Sequence, residues 1–266
     1  MFESYEFKKD PNIIGYGSFS NVYVGRRKKD DTPVAVKMIK NLLIELNEMT
    51  QQYEQEIENH KLIGHHENIV TFYDNFSYKT YNYIILEFVD GGDLFDVRFN
   101  AYNIDEFDIK CWTLDIVNGL KYIHKLGIIH RDIKLENLLL DKTNNRIKIC
   151  DFGWSVYTEF PDKCIQIDTC GTCCYMSPEE IVKCPYNKSV DIWSLGVVIY
   201  ILMAKQYPFG DDEYTDKMYK RIKTLDYEKL PETISKNGKD LVSRILTYCE
   251  NRPTLEEIVK HKWFYD

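Results

Sequence analysis

Residues able to do chemistry crowd one stretch of the chain: His130-Arg131-Asp132-Ile133-Lys134-Leu135-Glu136-Asn137, followed at a distance by Asp151-Phe152-Gly153. Between them, Leu138-Leu139-Leu140 and Ile147-Lys148-Ile149 flank the polar run Asp141-Lys142-Thr143-Asn144-Asn145-Arg146, which predicts a β-hairpin with a loose turn. A hairpin returns Asp151 towards the loop holding Asp132, Lys134 and Asn137. A carboxylate and an amide oxygen then suit Mg2+, which takes hard oxygen ligands and keeps positions open for phosphate. The other aspartate, beside a lysine, suits taking the proton of a hydroxyl while a transferring phosphoryl group is stabilised. Each residue alone reads as a solvated turn residue; the ordered set points to phosphoryl chemistry.

The chain around this stretch is long enough to surround it. It has 266 residues, 44% hydrophobic and 14% aromatic, ample for a sizeable core in one or two lobes. Lys and Arg number 34 against 42 Asp and Glu, a net charge of −8, which argues against nucleic acid and anionic membranes and for basic partners. The N-terminus lacks a basic segment followed by an apolar run, so no secretory signal is expected. Val190 to Met203 is the longest apolar stretch, shorter than the ~20 residues of a membrane span, and it contains Asp191 and Ser194. It is read as a helix buried on all sides. The eight cysteines, in a large chain without a signal, are expected as thiols in a reducing compartment, cytoplasmic or nuclear. Cys170-Gly171-Thr172-Cys173 has a metal-like spacing, but no second pair or histidine pair follows, and structural zinc needs four ligands.

The positioning elements can be read in order. Residues 12–37 alternate as strand, glycine turn, strand, charged turn, strand. Gly15 and Gly17, between strands, let backbone amides approach a phosphate. In Val34-Ala35-Val36-Lys37, strand alternation puts Ala35 and Lys37 on one face and the valines on the other. Met49, Tyr53, Ile57 and His60 recur at helical spacing before Gly64, and Glu56, His60 and Ile63 share one side. Strands are expected over 69–76 and 81–88, and a helix over 105–125. Thr254-Leu255-Glu256-Glu257 is a capping box opening a last helix that carries Ile258, Val259, Trp263 and Phe264 inward.

These motifs together resemble the eukaryotic protein kinases of the serine/threonine type, over essentially the whole chain. The stretch His130 to Asn137 followed by Asp151-Phe152-Gly153 is similar to their catalytic and metal-binding loops. Ser177-Pro178-Glu179 resembles the end of their activation segment, and Asp191-Ile192-Trp193-Ser194-Leu195-Gly196 the start of their central helix. The resemblance implies an α+β, two-lobed fold: a small antiparallel-sheet lobe with one major helix (residues 1–89) and a larger, mostly helical lobe (residues 90–266). It implies MgATP as cosubstrate. Lys37 grips phosphates, oriented by a glutamate for which Glu54, Glu56 and Glu58 compete and Glu56 fits best, and Ile14, Gly15, Tyr16, Gly17, Ser18, Phe19 and Ser20 form the glycine-rich loop, Ser20 standing where the family has a third glycine. Val22, Ala35 and Leu139 enclose adenine, Leu86 is the gatekeeper, Glu87 to Val89 form the hinge, and Asp93 meets ribose or a basic substrate. Asn137 and Asp151 hold Mg2+; Asp132 takes the acceptor proton; Lys134 and Thr172 assist it. Asp191 is expected to accept amides from His130 and Arg131, and Arg252 to pair with Glu179.

The resemblance also bears on control and on partners. In relatives whose activation segment carries Thr-x-Cys-Gly-Thr, the phosphorylated threonine sits where this chain has Asp168. Asp168 is therefore expected to pair with Arg131 without phosphorylation, giving a constitutively competent enzyme. The family's auxiliary arginines are replaced by Gln55 and Gln166, and Thr169 or Ser155 stay open to modification. One carboxylate carries about half the charge of a phosphate. Glu136 and Asp93 imply protein substrates with a mild basic preference; a monomer is expected. The stretch Asp151-Phe152-Gly153-Trp154-Ser155-Val156 is similar to the Aurora family, the C-terminal half to the calcium/calmodulin-dependent and AMP-activated group. The alternatives are a pseudokinase scaffold, disfavoured by the presence of Lys37, Asp132 and Asp151, and a small-molecule phosphotransferase, disfavoured by Ser177-Pro178-Glu179.

Overall fold

The computed structural model describes residues 4–7, 13–16, 20–46, 49–100, 104–165, 170–210 and 216–266. Its first part is an antiparallel sheet of β1 (Tyr5–Phe7), β2 (Ile13–Tyr16), β3 (Ser20–Arg27), β4 (Thr32–Lys40), β5 (Phe72–Tyr78) and β6 (Tyr81–Glu87), with the order β1-β3-β4-β6-β5 and β2 on β3. Alternation along β4 sorts its side chains. Val34, Val36 and Met38 enter an aromatic-rich core with Tyr5, Tyr23 and Tyr83, and Ala35 and Lys37 face a cleft. β4 lies between β3 and β6, so Lys37 is on an interior strand. Between β4 and β5 the chain forms α1 (Asn41–Leu46) and α2 (Thr50–Ile63); Ile44 and Ile57 pack on Ile39 and Ile84 beneath them.

The second part contains α3 (Leu94–Asn100), α4 (Glu106–Lys125), β7 (Ile128–Ile129), β8 (Leu138–Asp141), β9 (Arg146–Ile149), β10 (Val156–Tyr157), α5 (Pro178–Ile181), α6 (Ser189–Ala204), α7 (Asp216–Lys223), α8 (Lys236–Ile245) and α9 (Leu255–Ile258). Asp105 caps α4 by accepting from the Asp108 amide, as its short acidic side chain favours. Every residue of α6 from Val190 to Met203 is buried, as expected for a helix apolar all round. This is the two-lobed α+β arrangement that the resemblance implied. None of the described helices is long and apolar enough to cross a membrane.

Several boundaries differ from the sequence expectation. The strand expected over 69–76 begins at Phe72, because the backbone before it is engaged by the C-terminal end of β9: Ile149 N–H donates to Asn68 O at 2.9 Å, and Val70 N–H to Ile149 O at 2.9 Å. The strand expected over 81–88 ends at Glu87. The last helix is capped by Thr254 and Glu257 as foreseen but runs only to Ile258. A short 3-10 turn, Lys262–Phe264, then buries Trp263 while Val259 and Phe264 stay half-buried. β1 and α1 had no signal that singled them out, being only three and six residues long.

Candidate active site

The β8–β9 hairpin forms in antiparallel register, Leu138 opposite Ile149 and Asp141 opposite Arg146. It delivers Asp151 to a cleft of about 580 Å³ between the lobes, whose walls include Lys37, Glu56, Asp132, Lys134, Asn137 and Asp151. The acidic and basic groups that stood far apart in sequence thus face one volume.

Asp132 lies at the base of this cleft, 4% exposed. Its Oδ1 accepts from the Thr172 amide and hydroxyl, both at 3.1 Å. Its Oδ2 lies 2.8 Å from Lys134 Nζ and accepts from Asn137 Nδ2 at 3.0 Å. Lys134 also donates to Thr172 Oγ1 at 2.8 Å, so Asp132, Lys134 and Thr172 form a closed triangle. Thr172 reaches it because Gly171, with φ 93°, passes close to Arg131; a Cβ there would stand 2.7 Å from the Arg131 carbonyl oxygen, which only glycine avoids.

Arg131 (φ 65°) and Asp151 (φ 61°) both have left-handed backbones, costing roughly 1–2 kcal/mol each for a residue with a side chain. The turn at Arg131 is held by the fully buried Asp191, which accepts from the Arg131 amide at 2.8 Å, the His130 amide at 2.9 Å and His124 Nε2 at 2.7 Å. Burial alone would raise the Asp191 pKa; His124 and the backbone amide of His130 reverse this and hold it below the usual carboxylate range.

On the opposite wall, Lys37 Nζ donates to Glu56 Oε1 at 2.6 Å and Asp151 Oδ1 at 2.9 Å. Burial alone would lower the Lys37 pKa, but Asp151 and Glu56 raise it above that of an ordinary lysine. Lys37 in turn holds the Asp151 carboxyl down to about 2. Burial pushes the Glu56 carboxyl up, with Lys37 pulling the other way. Glu54 and Glu58 lie on the exposed face of α2, so only Glu56 of the three candidates meets Lys37.

The donor set fits a magnesium ion. Asn137 Nδ2 is tied to Asp132 O at 2.8 Å and Asp132 Oδ2 at 3.0 Å, which leaves the amide oxygen for a cation. Asp151 gives one oxygen to Lys37 and has the other to offer. Two hard oxygens with remaining positions for water and phosphate suit Mg2+, whereas Ca2+ seeks a larger cage. Among the described residues, no group of three or more His, Cys, Asp or Glu side chains is arranged to hold a metal, and no disulfide joins the cysteines.

The remaining cleft residues fall at its apolar end and its mouth. Val22, Ala35 and Leu139 line it, with Leu86, Glu87 and Val89 behind. Ile14, Gly15, Tyr16 and Ser20 line the entrance, where Ile14 and Tyr16 are exposed; Gly17, Ser18 and Phe19 lie outside the described residues. Asp93 caps α3, accepting from the Asp96 amide at 2.8 Å, and also lines the cleft. Glu136 lines it as well and accepts from the Tyr175 hydroxyl at 3.5 Å. Burial raises the pKa of both carboxyls. Arg131 does not line the cleft: its Nε donates to Trp154 O at 2.7 Å and its Nη1 to the Tyr186 hydroxyl at 3.2 Å. Asp168, Gln166 and Thr169 lie outside the described residues, and Gln55 is half-buried on α2. Ser155, a candidate for modification from sequence, is only 5% exposed, so modification there requires the segment to open. The Glu179–Arg252 pair forms as expected, with contacts of 2.7 and 3.2 Å.

Several positioning groups carried no motif. Glu87, read only as a hinge residue, turns its carboxylate to Lys148 Nζ at 2.9 Å and to the Thr71 amide and hydroxyl at 3.0 Å each. Lys148 had one signal, a lysine between two isoleucines in a hairpin strand. His124 joins Asp191, and Gln52 and Asn59 of α2 bind the segment after Asp151. Asn59 fell on the helix side shared by Glu56, His60 and Ile63, the cue that it is buried.

Comparison with known proteins bears on this geometry. A family model described as "Protein kinase domain" matches residues 8–264. Mouse Aurora kinase C is 35% identical over 251 residues, 94% of this chain and 88% of that protein. Rice CBL-interacting protein kinase 31 is 35% identical over 258 residues, 94% of this chain and 56% of that protein. Mouse serine/threonine-protein kinase H1 is 35% identical over 274 residues, 97% of this chain and 63% of that protein. The chain thus spans most of the first relative and under two thirds of the other two.

Proposed function

The chain belongs to the protein kinase family, and from that premise we propose that it transfers the γ-phosphoryl group of ATP to serine or threonine hydroxyls of proteins. The observation that carries this reading is the Asp132–Lys134–Thr172 triangle, whose Asp132 and Lys134 line the same cleft as Lys37, Glu56 and Asp151. Residues 1–89 are assigned to nucleotide binding and residues 90–266 to catalysis and substrate binding, with the cleft between them.

Lys37, held by Glu56, is assigned to the nucleotide phosphates; to reach them it must exchange part of its contact with Asp151. Asn137 and Asp151 would hold Mg2+, which would supply positive charge to offset the charge that develops on the phosphates. Asp132 is fixed on both oxygens by Thr172, Lys134 and Asn137, so it can orient an acceptor hydroxyl and take its proton with little reorganisation. Lys134 is placed to stabilise the transferring group. Val22, Ala35 and Leu139 supply apolar contact for adenine, and the Glu87–Val89 backbone supplies polar contact.

Activity without phosphorylation of the activation segment is part of the proposal, with Asp168 as the standing anion for Arg131. Contacts among the described residues hold the two ends of the segment. Arg131 is engaged by Trp154 O and Tyr186 Oη, and Ile165 and Tyr186 exchange backbone hydrogen bonds of 2.9 and 3.2 Å. Full activity after phosphatase treatment is expected; near-complete loss refutes this part. Glu136 and Asp93 are assigned to a mild preference for basic residues around the acceptor, to be read on a peptide library, where indifference to arginine removes it. The transfer reaction itself is tested by incubating the protein with γ-labelled ATP, Mg2+ and a generic basic protein, followed by phosphoamino-acid analysis. Label on serine or threonine supports the reading; no label, or label on tyrosine alone, overturns it.

A further inference from the structure

Helix α2 carries Glu56, yet little in the helix itself explains its position. Its N-cap residue, Met49, makes no side-chain cap bond, and its first turn has no acidic residue, so the intrinsic support available to a well-capped helix is missing. Its buried face is also unusually polar: Glu56 is 7% exposed, Asn59 2% and His60 2%. Buried polar groups are costly unless bonded, so their partners show what holds the helix.

His60 Nε2 bonds to the Val70 carbonyl at 2.7 Å, and the other links from this side of α2 converge on residues 151–155. Glu56 reaches Asp151 through Lys37. Gln52 Nε2 donates to Gly153 O at 2.6 Å, and Asn59 Nδ2 donates to Ser155 Oγ at 2.9 Å. His60 packs on Phe152 with ring centroids 4.9 Å apart. The donor roles are fixed by chemistry. Gly153 O can only accept, and Ser155 uses its hydroxyl hydrogen on Phe152 O at 2.7 Å, which leaves its oxygen to accept from Asn59. Residues 52, 56 and 59 fall on one side of a helix, so a single rotation of α2 away from Lys37 would break all three links together.

We propose that Asn59 and Ser155, supported by Gln52, are positioning residues: a buried latch that seats α2 on the segment after Asp151 and so keeps Glu56 against Lys37 without a partner protein or a phosphate. This rests on the reading of Lys37 and Glu56 as the nucleotide-gripping pair. It makes Ser155 a structural hydroxyl whose two hydrogen-bonding roles are both in use. Displacing α2 leaves the Asn59 amide and the Ser155 hydroxyl without each other as well as separating Glu56 from Lys37.

The test uses the full chain with Asn59→Leu, Ser155→Ala, the double variant and Gln52→Met, the last at a half-buried position that spares the fold. Phosphoryl transfer is measured against ATP and against peptide, and hydrogen exchange of residues 50–63 is measured on the nucleotide-free protein. A net hydrogen bond shifts an equilibrium roughly fivefold, so each single variant is expected to lower kcat/KM for ATP about fivefold. Exchange in α2 speeds up by a similar factor, the KM for peptide holds, and the double variant is no worse than about one single. Unchanged ATP kinetics and unchanged exchange in all single variants overturn the latch, as does an additive double variant. If the wild type transfers no phosphate while α2 exchange responds to the variants as described, the proposed function falls and the latch stands.

Discussion

Replacing Lys148 by Met tests whether the end of β6 and the strand leading to Asp151 are joined by a buried ion pair. Lys148 Nζ lies 2.9 Å from Glu87 Oε1, with side chains 9% and 22% exposed. Deleting one member of a buried pair costs roughly 3–5 kcal/mol because the other charge is left without its partner. Glu87 keeps two donors, the Thr71 amide and hydroxyl at 3.0 Å each, and retains some solvent, so the loss falls below that range: about 2–3 kcal/mol. For a chain of this size that corresponds to a fall in Tm of about 5 °C. Glu87→Leu combined with Lys148→Met removes both charges and is expected to recover a substantial part of the loss, a coupling of about 1–2 kcal/mol. Thermal melts of the wild type, both single variants and the double variant, followed by circular dichroism, give the cycle. A Lys148→Met variant within 1 °C of wild type, or additive single variants, would refute the strut.

Other expectations follow from the same geometry. Burial holds the His60 imidazole down to about 4 from an ordinary 6.5, so the unfolded chain takes up a proton over that window that the folded chain refuses, and stability falls as pH drops from 6.5 towards 4. His60→Gln, which can still donate to the Val70 carbonyl, is expected to narrow its Tm gap from wild type by the equivalent of about 2–3 kcal/mol between pH 7 and pH 4.5; a constant gap contradicts this. Thr172→Val removes the hydroxyl that binds Asp132 Oδ1 and Lys134 and is expected to lower kcat about 10- to 100-fold with little change in KM for ATP, measured by steady-state kinetics. Asp191→Leu orphans two buried backbone amides and the His124 ring nitrogen at roughly 1–3 kcal/mol each, so the soluble yield of folded protein should collapse; a stable variant with unchanged melting argues against that role for Asp191.

What was legible in the sequence had a reason to be. The hairpin around 141–146 was framed by two apolar runs, so Asp151 had to return to Asp132 and Asn137. The alternation Val34-Ala35-Val36-Lys37 fixed which face met the cleft, because a strand has only two faces. α6 announced itself by being apolar on every side. The unread parts depend on contacts between distant segments. Nothing local told that Glu87 would use its side chain on Lys148, or that His124 would share Asp191 with the turn at Arg131. The late start of β5 arose from hydrogen bonds between residues 68–70 and Ile149, a pairing that no single segment encodes. Asn59 and Gln52 were visible only as polar residues on a helix; their partners lie about a hundred positions away.

The most direct test of the central claim is to compare wild type and Asp132→Asn for two quantities in one preparation: binding of MgATP by calorimetry, and transfer of γ-label to a basic protein substrate. Asp132 contacts the acceptor side of the cleft in this account, whereas Lys37, Asn137 and Asp151 serve the nucleotide side. Binding should therefore be equal within about twofold while transfer drops by a factor on the order of a thousand. Equal transfer by both proteins, or a wild type that binds no MgATP, contradicts the account.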